Sequence, residues 1–207
     1  MTANIRPPTI HDFGGFPQAL YKVDYPAPGD PSLAEGVRAI LGNDRVQLSD
    51  DWGLDHGIWS VLCWMYPQAD VPVVQLSIDR RLDVRRHYAI GRSLLQLRSS
   101  RTLVIASGNV VHNLHDAFQQ TRSGTSVTPD WASRFDEAVK QALLQRDIET
   151  LLSLWPENAD AQRAHPTPDH WLPLIYAAGA TDESDHINFP NEGFDLGTIS
   201  MRNVIFG

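Results

Sequence analysis

The stretch Thr102-Leu103-Val104-Ile105-Ala106-Ser107-Gly108-Asn109-Val110-Val111-His112-Asn113 joins a short apolar run to a turn and a histidine. The apolar run is partly β-branched, which is typical of a buried parallel strand. Gly108 and Asn109 permit a tight turn after it. Because ligands of open α/β sheets bind beyond the carboxyl ends of strands, His112 is a candidate functional residue.

The segments upstream of this stretch complete a strand–helix–strand pattern. Residues Val73 to Ile78 form a second short apolar run, and Val84 to Leu97 carries apolar residues at roughly helical spacing. Strand, helix and strand in that order predict a βαβ unit. The chain of 207 residues is long enough for one well-filled core and short for two. We therefore expect a single α/β domain over residues 1–207.

Caps and periodicity predict the remaining elements. Asp55 is either a helix cap or part of a turn that presents His56. The long amphipathic pattern before Trp155 fits one long helix or two short ones. The expected elements are helices at Pro31–Leu41 (capped by Asp30), Ile58–Tyr66, Pro129–Trp155 and from Thr167 to about Ala178, with strands at Arg45–Leu48 and Gly197–Phe206.

Charge and composition exclude several classes of protein. The net charge is −8 and the pI is about 5.4, whereas a nucleic-acid binder needs a basic face. The one cysteine, Cys63, cannot form an internal disulfide, and its apolar surroundings predict a small buried side chain. No stretch approaches the ~20 apolar residues of a membrane span, and the first residues lack an apolar signal core. We expect a cytoplasmic protein with neither nucleic-acid nor membrane partners.

Histidines carry the candidate chemistry, and most isolated histidines are surface or hydrogen-bonded residues. His170 lies at a predicted helix start, where the helix dipole favours the neutral ring that binds metals or accepts a proton. His56 lies in a Gly- and Trp-rich turn that suits general acid/base work. His115 is expected to be structural or exposed. No Gly-x-Ser-x-Gly elbow, phosphate loop or His-Glu-x-x-His motif occurs, which leaves a histidine site for iron or zinc.

Ordered blocks of sequence resemble the class III extradiol ring-cleavage dioxygenases of the 4,5-DOPA dioxygenase type. The resemblance runs essentially from Thr9 to Gly207. The blocks are Thr9-Ile10-His11-Asp12-Phe13-Gly14-Gly15-Phe16-Pro17, Tyr25-Pro26-Ala27-Pro28-Gly29, Trp52-Gly53-Leu54-Asp55-His56-Gly57, Gln75-Leu76-Ser77-Ile78-Asp79, Ala106-Ser107-Gly108-Asn109-Val110-Val111-His112-Asn113-Leu114 and Pro168-Asp169-His170-Trp171-Leu172-Pro173-Leu174.

The resemblance implies a central mixed β-sheet flanked by helices and a mononuclear Fe(II), with zinc as the alternative metal. It implies insertion of O₂ into a catechol ring. His112 and His170 fall at metal-centre positions, His112 as a ligand or as the adjacent acid/base. His56 falls at the position of a catalytic histidine that contacts substrate or oxygen. His11 and Phe13, in the aromatic-rich first loop, are the expected substrate-binding residues, and a homo-oligomer is among the expected assemblies.

The resemblance has one departure. Relatives begin with two strands that end in His-Gly-Ser-Pro and Ser-x-His-Trp motifs, each with a metal-binding histidine, and this chain has neither. The first hypothesis is thus an N-terminally truncated extradiol dioxygenase, with His11 as a candidate replacement ligand. The alternatives are a non-catalytic binding or oligomerisation module on the same fold, and one half of a split enzyme.

Overall fold

The computed structural model describes residues 1–207, which group into two compact units, Met1–Asp79 (unit 1) and Arg80–Gly207 (unit 2). Unit 1 holds a 3₁₀ turn at Leu20–Lys22 and helices α1 (Pro31–Leu41) and α2 (His56–Met65). None of the helices in either unit combines the length and apolarity needed to cross a membrane.

The capping predictions in unit 1 are confirmed. The Asp30 carboxylate accepts a hydrogen bond from the Leu33 amide at the start of α1, and Gly42 ends that helix. Asp55 caps α2 through the Gly57 amide, so α2 begins two residues before the predicted Ile58. Asp55 is therefore a cap, as one of the two alternatives had it.

The start of α2 is held against the first segment of the chain. Thr9 and Leu54 form a parallel bridge, with Leu54 N 2.8 Å from Pro8 O and Ile10 N 2.9 Å from Leu54 O. A side chain at Gly53 would lie 2.0 Å from Pro8 O, so only glycine permits this approach. Since Leu54 directly precedes α2, the bridge brings residues 11–13 beside the first turn of that helix.

Unit 2 is mainly helical with two small antiparallel sheets. The helices are α3 (Val84–Leu94), α4 (Leu114–Arg122), α5 (Asp130–Leu144), α6 (Ile148–Ser153), α7 (Ala159–Ala164) and α8 (Leu172–Gly179), with 3₁₀ turns at Leu95–Ser100 and Pro168–His170. The strands are β1 (Ile187–Asn188) paired with β4 (Ile205–Phe206), and β2 (Phe194–Asp195) paired with β3 (Ile199–Ser200).

Helices α3 and α8 touch through glycine. A side chain at Gly91 would lie 2.3 Å from Tyr176 O, and one at Gly179 would lie 2.4 Å from Tyr88 O. The two backbones are therefore in direct contact, which fixes α8 and the 3₁₀ turn that precedes it.

A helix-rich α/β chain is confirmed, but several strand predictions are not. Arg45–Leu48 forms no strand, and the Gly197–Phe206 strand is broken into β3 and β4. Val73–Ile78 and Thr102–Ala106 belong to no sheet, so the predicted central mixed sheet is absent from the observed pairings. Strand pairing depends on distant partners, which a local apolar run does not specify.

The Pro129–Trp155 pattern forms two helices, α5 and α6, which confirms one of the two alternatives. Three smaller predictions need correction. The Thr167 side chain does not cap a helix but donates to Asp169, and Gly179 lies within α8 rather than after it. Cys63 is free and only half-buried, because the helix face that carries it is not fully covered. A single domain over residues 1–207 stays a prediction.

Candidate functional site

The segment that carries His112 is held from both sides by backbone hydrogen bonds within unit 2. His112 N donates to Ala164 O at 3.0 Å, and His112 forms an antiparallel bridge with Ile199. The neighbouring Val111 is fully buried, and its carbonyl accepts from Ser200 N at 2.9 Å. The His112 backbone is thus fixed while its ring remains half-buried.

His170 reaches the same place from the 3₁₀ turn before α8. A side chain at Gly108 would lie 2.4 Å from His170 O and 3.3 Å from His170 Cα. Glycine therefore lets the segment after Thr102–Ala106 lie directly on the backbone of His170. The His112 and His170 rings stack face to face at this contact. Their centroids are 3.4 Å apart and their planes are inclined by 8°.

We expect Gly108→Ala to destabilise the protein by about 1–3 kcal/mol, because the new methyl group must displace backbone rather than a flexible side chain. The same displacement should separate the two rings. Urea denaturation and the NMR contacts between the His112 and His170 rings measure both effects. Gly36→Ala in α1 is the matched control, since nothing lies within 4 Å of the added carbon. Equal stabilities of the two variants would contradict the packing role of Gly108.

The stacked pair fits a metal only in part. Neutral imidazole suits iron and zinc, and each metal–nitrogen bond of about 2.0–2.1 Å lies in the plane of its ring. Because the planes are nearly parallel and the centroids are 3.4 Å apart, the two rings as they lie would not both direct a nitrogen at one ion. Within either unit, no three His, Cys, Asp or Glu side chains are grouped so that they could hold a metal ion. The residues present do not by themselves complete a mononuclear site.

A further histidine, His165, supports the segment that leads to His112 and was not among the predicted site residues. It is 2% exposed and packs against the rings of Phe135 and Trp171. Its Nε2–H donates to Val110 O at 2.8 Å, so the ring supports the segment that leads to His112. Burial, with the nearby His112 charge as a smaller cause, lowers the pKa of His165 from 6.5 to about 4 despite the bond to Val110. His165 is therefore neutral at physiological pH.

The lowered pKa of His165 predicts acid sensitivity. Above pH 6.5 the ring is neutral in the folded and unfolded states, and its stabilising contribution is intact. As the pH falls from 6.5 to about 4, only the unfolded state takes up the proton, which costs the fold roughly 3 kcal/mol. His165→Gln keeps an amide donor but does not titrate, so its stability should fall less over this interval.

Urea unfolding at pH 7.5 and at pH 5 measures the difference, and the exposed His186→Gln is the matched control. Parallel pH profiles for the wild type and His165→Gln would show that His165 does not stay neutral in the fold.

His56 in unit 1 is oriented by the carboxylate of Asp12, which was not among the predicted site residues. The His56 Nδ1–H donates to Asp12 Oδ1 at 2.7 Å, and the His56 amide donates to the same oxygen at 3.0 Å. Partial burial alone would raise the pKa of Asp12, but the two hydrogen bonds and the His56 charge outweigh it, and the net pKa is lowered. With Nδ1 bound to Asp12, Nε2 is the atom of His56 that can take up a proton.

Aromatic rings surround this His56–Asp12 pair. The Phe13 ring meets the His56 ring edge-on, with centroids 5.6 Å apart. The His11 Nε2–H donates to Val23 O at 3.1 Å, and its ring packs against Trp59 with centroids 5.6 Å apart. The structure thus groups His11, Phe13 and His56 in unit 1, and His112 and His170 in unit 2. Their substrate, catalytic and metal roles stay predictions, including that of His11 as a replacement ligand.

The exposed His115 bonds to Gln119, as expected of a residue without a site role. Asp12 could have been found from its place in the His11-Asp12-Phe13 block, since a carboxylate is a common partner of a functional histidine. No local signal distinguishes the buried His165 from the other histidines.

The stacked imidazoles of unit 2 and the carboxylate-bound histidine of unit 1 are compatible with a histidine-based metal or acid/base centre. Comparison with known proteins makes the class specific. The family described as the catalytic LigB subunit of aromatic ring-opening dioxygenase matches residues 2–207. The chain belongs to this LigB family and is an aromatic ring-opening dioxygenase by class.

Two relatives and one solved structure are similar to most of this chain. It is 45% identical to 4,5-DOPA dioxygenase extradiol of Escherichia coli K12, covering 100% of this chain and 76% of the relative. It is 36% identical to the protein of the same name from Beta vulgaris, covering 96% of this chain and 74% of the relative. The crystal structure of an uncharacterized Escherichia coli K12 protein superimposes with a TM-score of 0.81 at 38% identity, covering 98% of this chain and 82% of that one.

Proposed function

We propose that this protein contributes to extradiol cleavage of a catechol, with a DOPA-like compound as substrate and O₂ as the second reactant. The observation that carries the proposal is the His112–His170 ring pair, which forms where Gly108 lies against the backbone of His170. The similarity to two proteins named 4,5-DOPA dioxygenase extradiol supports the substrate class.

The proposal gives the two histidines different roles. His170 is a ligand of a mononuclear metal, Fe(II) with Zn(II) as the alternative, which when bound would hold the catechol oxygens and O₂. His112 is the adjacent proton donor and acceptor, because stacked rings cannot both direct a nitrogen at one ion.

The residues of unit 1 have proposed roles as well. Asp12 holds His56 in the tautomer whose Nε2 can take a proton from a substrate hydroxyl. Phe13 and His11 offer ring faces and edges on which an aromatic substrate can pack. We further propose that both units belong to one catalytic domain with a central mixed sheet, to which Val73–Ile78 and Thr102–Ala106 contribute strands.

Anaerobic titration with Fe(II) and Zn(II), followed by oxygen uptake with catechols, tests the function. We expect metal-dependent uptake that His170→Ala abolishes and that His115→Ala, an exposed histidine of the same unit, leaves unchanged. Uptake that survives His170→Ala would refute the assignment of His170. Binding of catechols without any uptake, in a chain that holds metal, would favour the non-catalytic binding module.

A further inference from the structure

The side chain of Asn113, the residue after His112, joins the ends of two helices. Asn113 is 6% exposed. Its Oδ1 accepts from the Asp116 amide at 3.0 Å at the start of α4, and its Nδ2–H donates to Arg163 O at 2.8 Å in the last turn of α7. A backbone amide only donates and a backbone carbonyl only accepts, so these partners fix which end of the Asn113 side chain faces which helix.

Helix capping alone does not explain an asparagine at this position. An N-cap needs only an acceptor, which Asp30 and Asp55 supply with carboxylates at α1 and α2. Asparagine carries an acceptor and a donor on two different atoms, and here the donor meets a carbonyl of the last helical turn, a group without a partner in its own helix. Asn113 therefore ties the His112 segment to α7 in addition to capping α4.

Hydrogen bonds hold the peptide groups on both sides of His112. The group before it donates from His112 N to Ala164 O at 3.0 Å, and the group after it donates from Asn113 N to Thr198 O at 3.3 Å. The second bond is long, whereas the side-chain bond of Asn113 is short, so the side chain is the stronger anchor on that side. Because the two peptide planes set the dihedral angles of the residue between them, they set the direction of the His112 side chain.

We propose that Asn113 is the positioning residue of His112, and that its bond to Arg163 O holds the His112 ring on His170. His112 N and Asn113 Nδ2 bond to successive carbonyls of α7, those of Ala164 and Arg163, so losing the second bond lets the segment turn about the first. With ring centroids 3.4 Å apart, a small turn ends the stack. A misplacement of about 1 Å can cost a reaction about 10²-fold in rate. This catalytic consequence rests on the proposed function, whereas the positioning itself does not.

NMR of the His112 ring tests the positioning directly. Asn113→Ser keeps a capping oxygen for α4 and removes the donor to Arg163 O. We expect the ring protons of His112, which the stack on His170 shifts upfield, to move toward their unstacked positions, and the contacts between the two rings to weaken. Asn158→Ser is the matched control, since Asn158 caps α7 through backbone amides but is exposed, and it should leave the His112 signals unchanged.

Oxygen uptake with catechols after Fe(II) loading tests the catalytic consequence. We expect Asn113→Ser to lower kcat about 10–100-fold at an unchanged KM for the catechol and an unchanged metal stoichiometry, whereas Asn158→Ser should change none of them.

Asn113→Asp is the second variant, and it carries the test if the serine variant does not fold. It keeps the shape and the cap but turns an oxygen toward Arg163 O, which repels it. It should therefore lose both the stack and the rate, although a carboxylate caps α4 as well as an amide does.

Two outcomes would overturn the positioning role. One is unchanged His112 ring signals in both Asn113 variants, which would reduce Asn113 to a helix cap. The other needs no substitution: rapid exchange of the Asn113 side-chain amide protons in the wild type would show that the buried bond to Arg163 O does not persist. A displaced ring without any loss of kcat, or a wild type without oxygen uptake, would support the positioning and contradict the proposed role of His112 in the reaction.

Discussion

His112→Gln is expected to lower metal-dependent oxygen uptake by about 10²–10⁴-fold while leaving the metal stoichiometry unchanged. The expectation follows from the stack, in which the His112 plane runs parallel to that of His170 at a centroid distance of 3.4 Å. Nearly parallel stacked rings would not both direct a nitrogen at one metal ion. His170 would hold the metal, and His112 would be left to exchange a proton with a substrate bound beside it.

His170→Ala provides the contrast, because it should lower both metal binding and uptake. Anaerobic titration and oxygen uptake, measured on the same preparations, separate the two roles, and His115→Ala reports nonspecific effects. The dependence of the oxygen-uptake rate on pH adds a second test. Substitution of a proton-transfer residue should remove one limb of this profile, whereas substitution of any other residue should not. Loss of metal from His112→Gln would show instead that His112 is a ligand and that the rings part when the ion binds.

Local chemistry explains which elements could be predicted from the sequence. Asp30 and Asp55 lie within three residues of the amides they cap, so the sequence contains both partners of each interaction. The same applies to Gly108, whose turn was expected after an apolar run. Its larger role, the approach to the His170 backbone, depends on a residue far along the chain.

Non-local pairing explains what could not be predicted. The His56–Asp12 bond joins residues 44 apart, so the sequence offers Asp12 as a candidate carboxylate but does not specify His56 as its partner. Thr102–Ala106 has the composition of a buried strand, yet its neighbours in sequence give no partner for it. The resemblance grouped His112 with His170 correctly in space, but only the ring geometry argues for unequal roles.

The ion pair between Asp136 and Arg202 predicts the largest loss of stability. Asp136 in α5 and Arg202 after β3 have side chains that are 6% and 3% exposed. Asp136 Oδ1 also accepts from Ser200 Oγ at 2.6 Å, and Arg202 reaches Glu192 at 2.7 Å. Asp136→Ala would leave a buried guanidinium without its main partner, which should cost about 3–5 kcal/mol in urea unfolding at pH 7.

Two controls separate burial from charge. Glu149→Gln removes a carboxylate from the exposed pair with Arg85 and should cost about 0–1 kcal/mol. Replacing both buried partners, Asp136→Leu with Arg202→Met, should cost less than Asp136→Ala alone, because no charge is then left buried. A cost for Asp136→Ala no larger than that for Glu149→Gln would contradict the buried pair.

The same substitution should also reach the candidate site. Ser200, which bonds to Asp136, donates its amide to Val111 O at 2.9 Å, next to His112. Freeing Ser200 from α5 should therefore loosen the strand that holds the His112 segment. Hydrogen exchange at the Ser200 amide in Asp136→Ala should rise under conditions where the protein remains folded, because this bond depends on the position of β3. Unchanged protection of the Ser200 amide would show that the ion pair contributes only to global stability. The His112 segment would then be held by its bond to Ala164 rather than through Ser200.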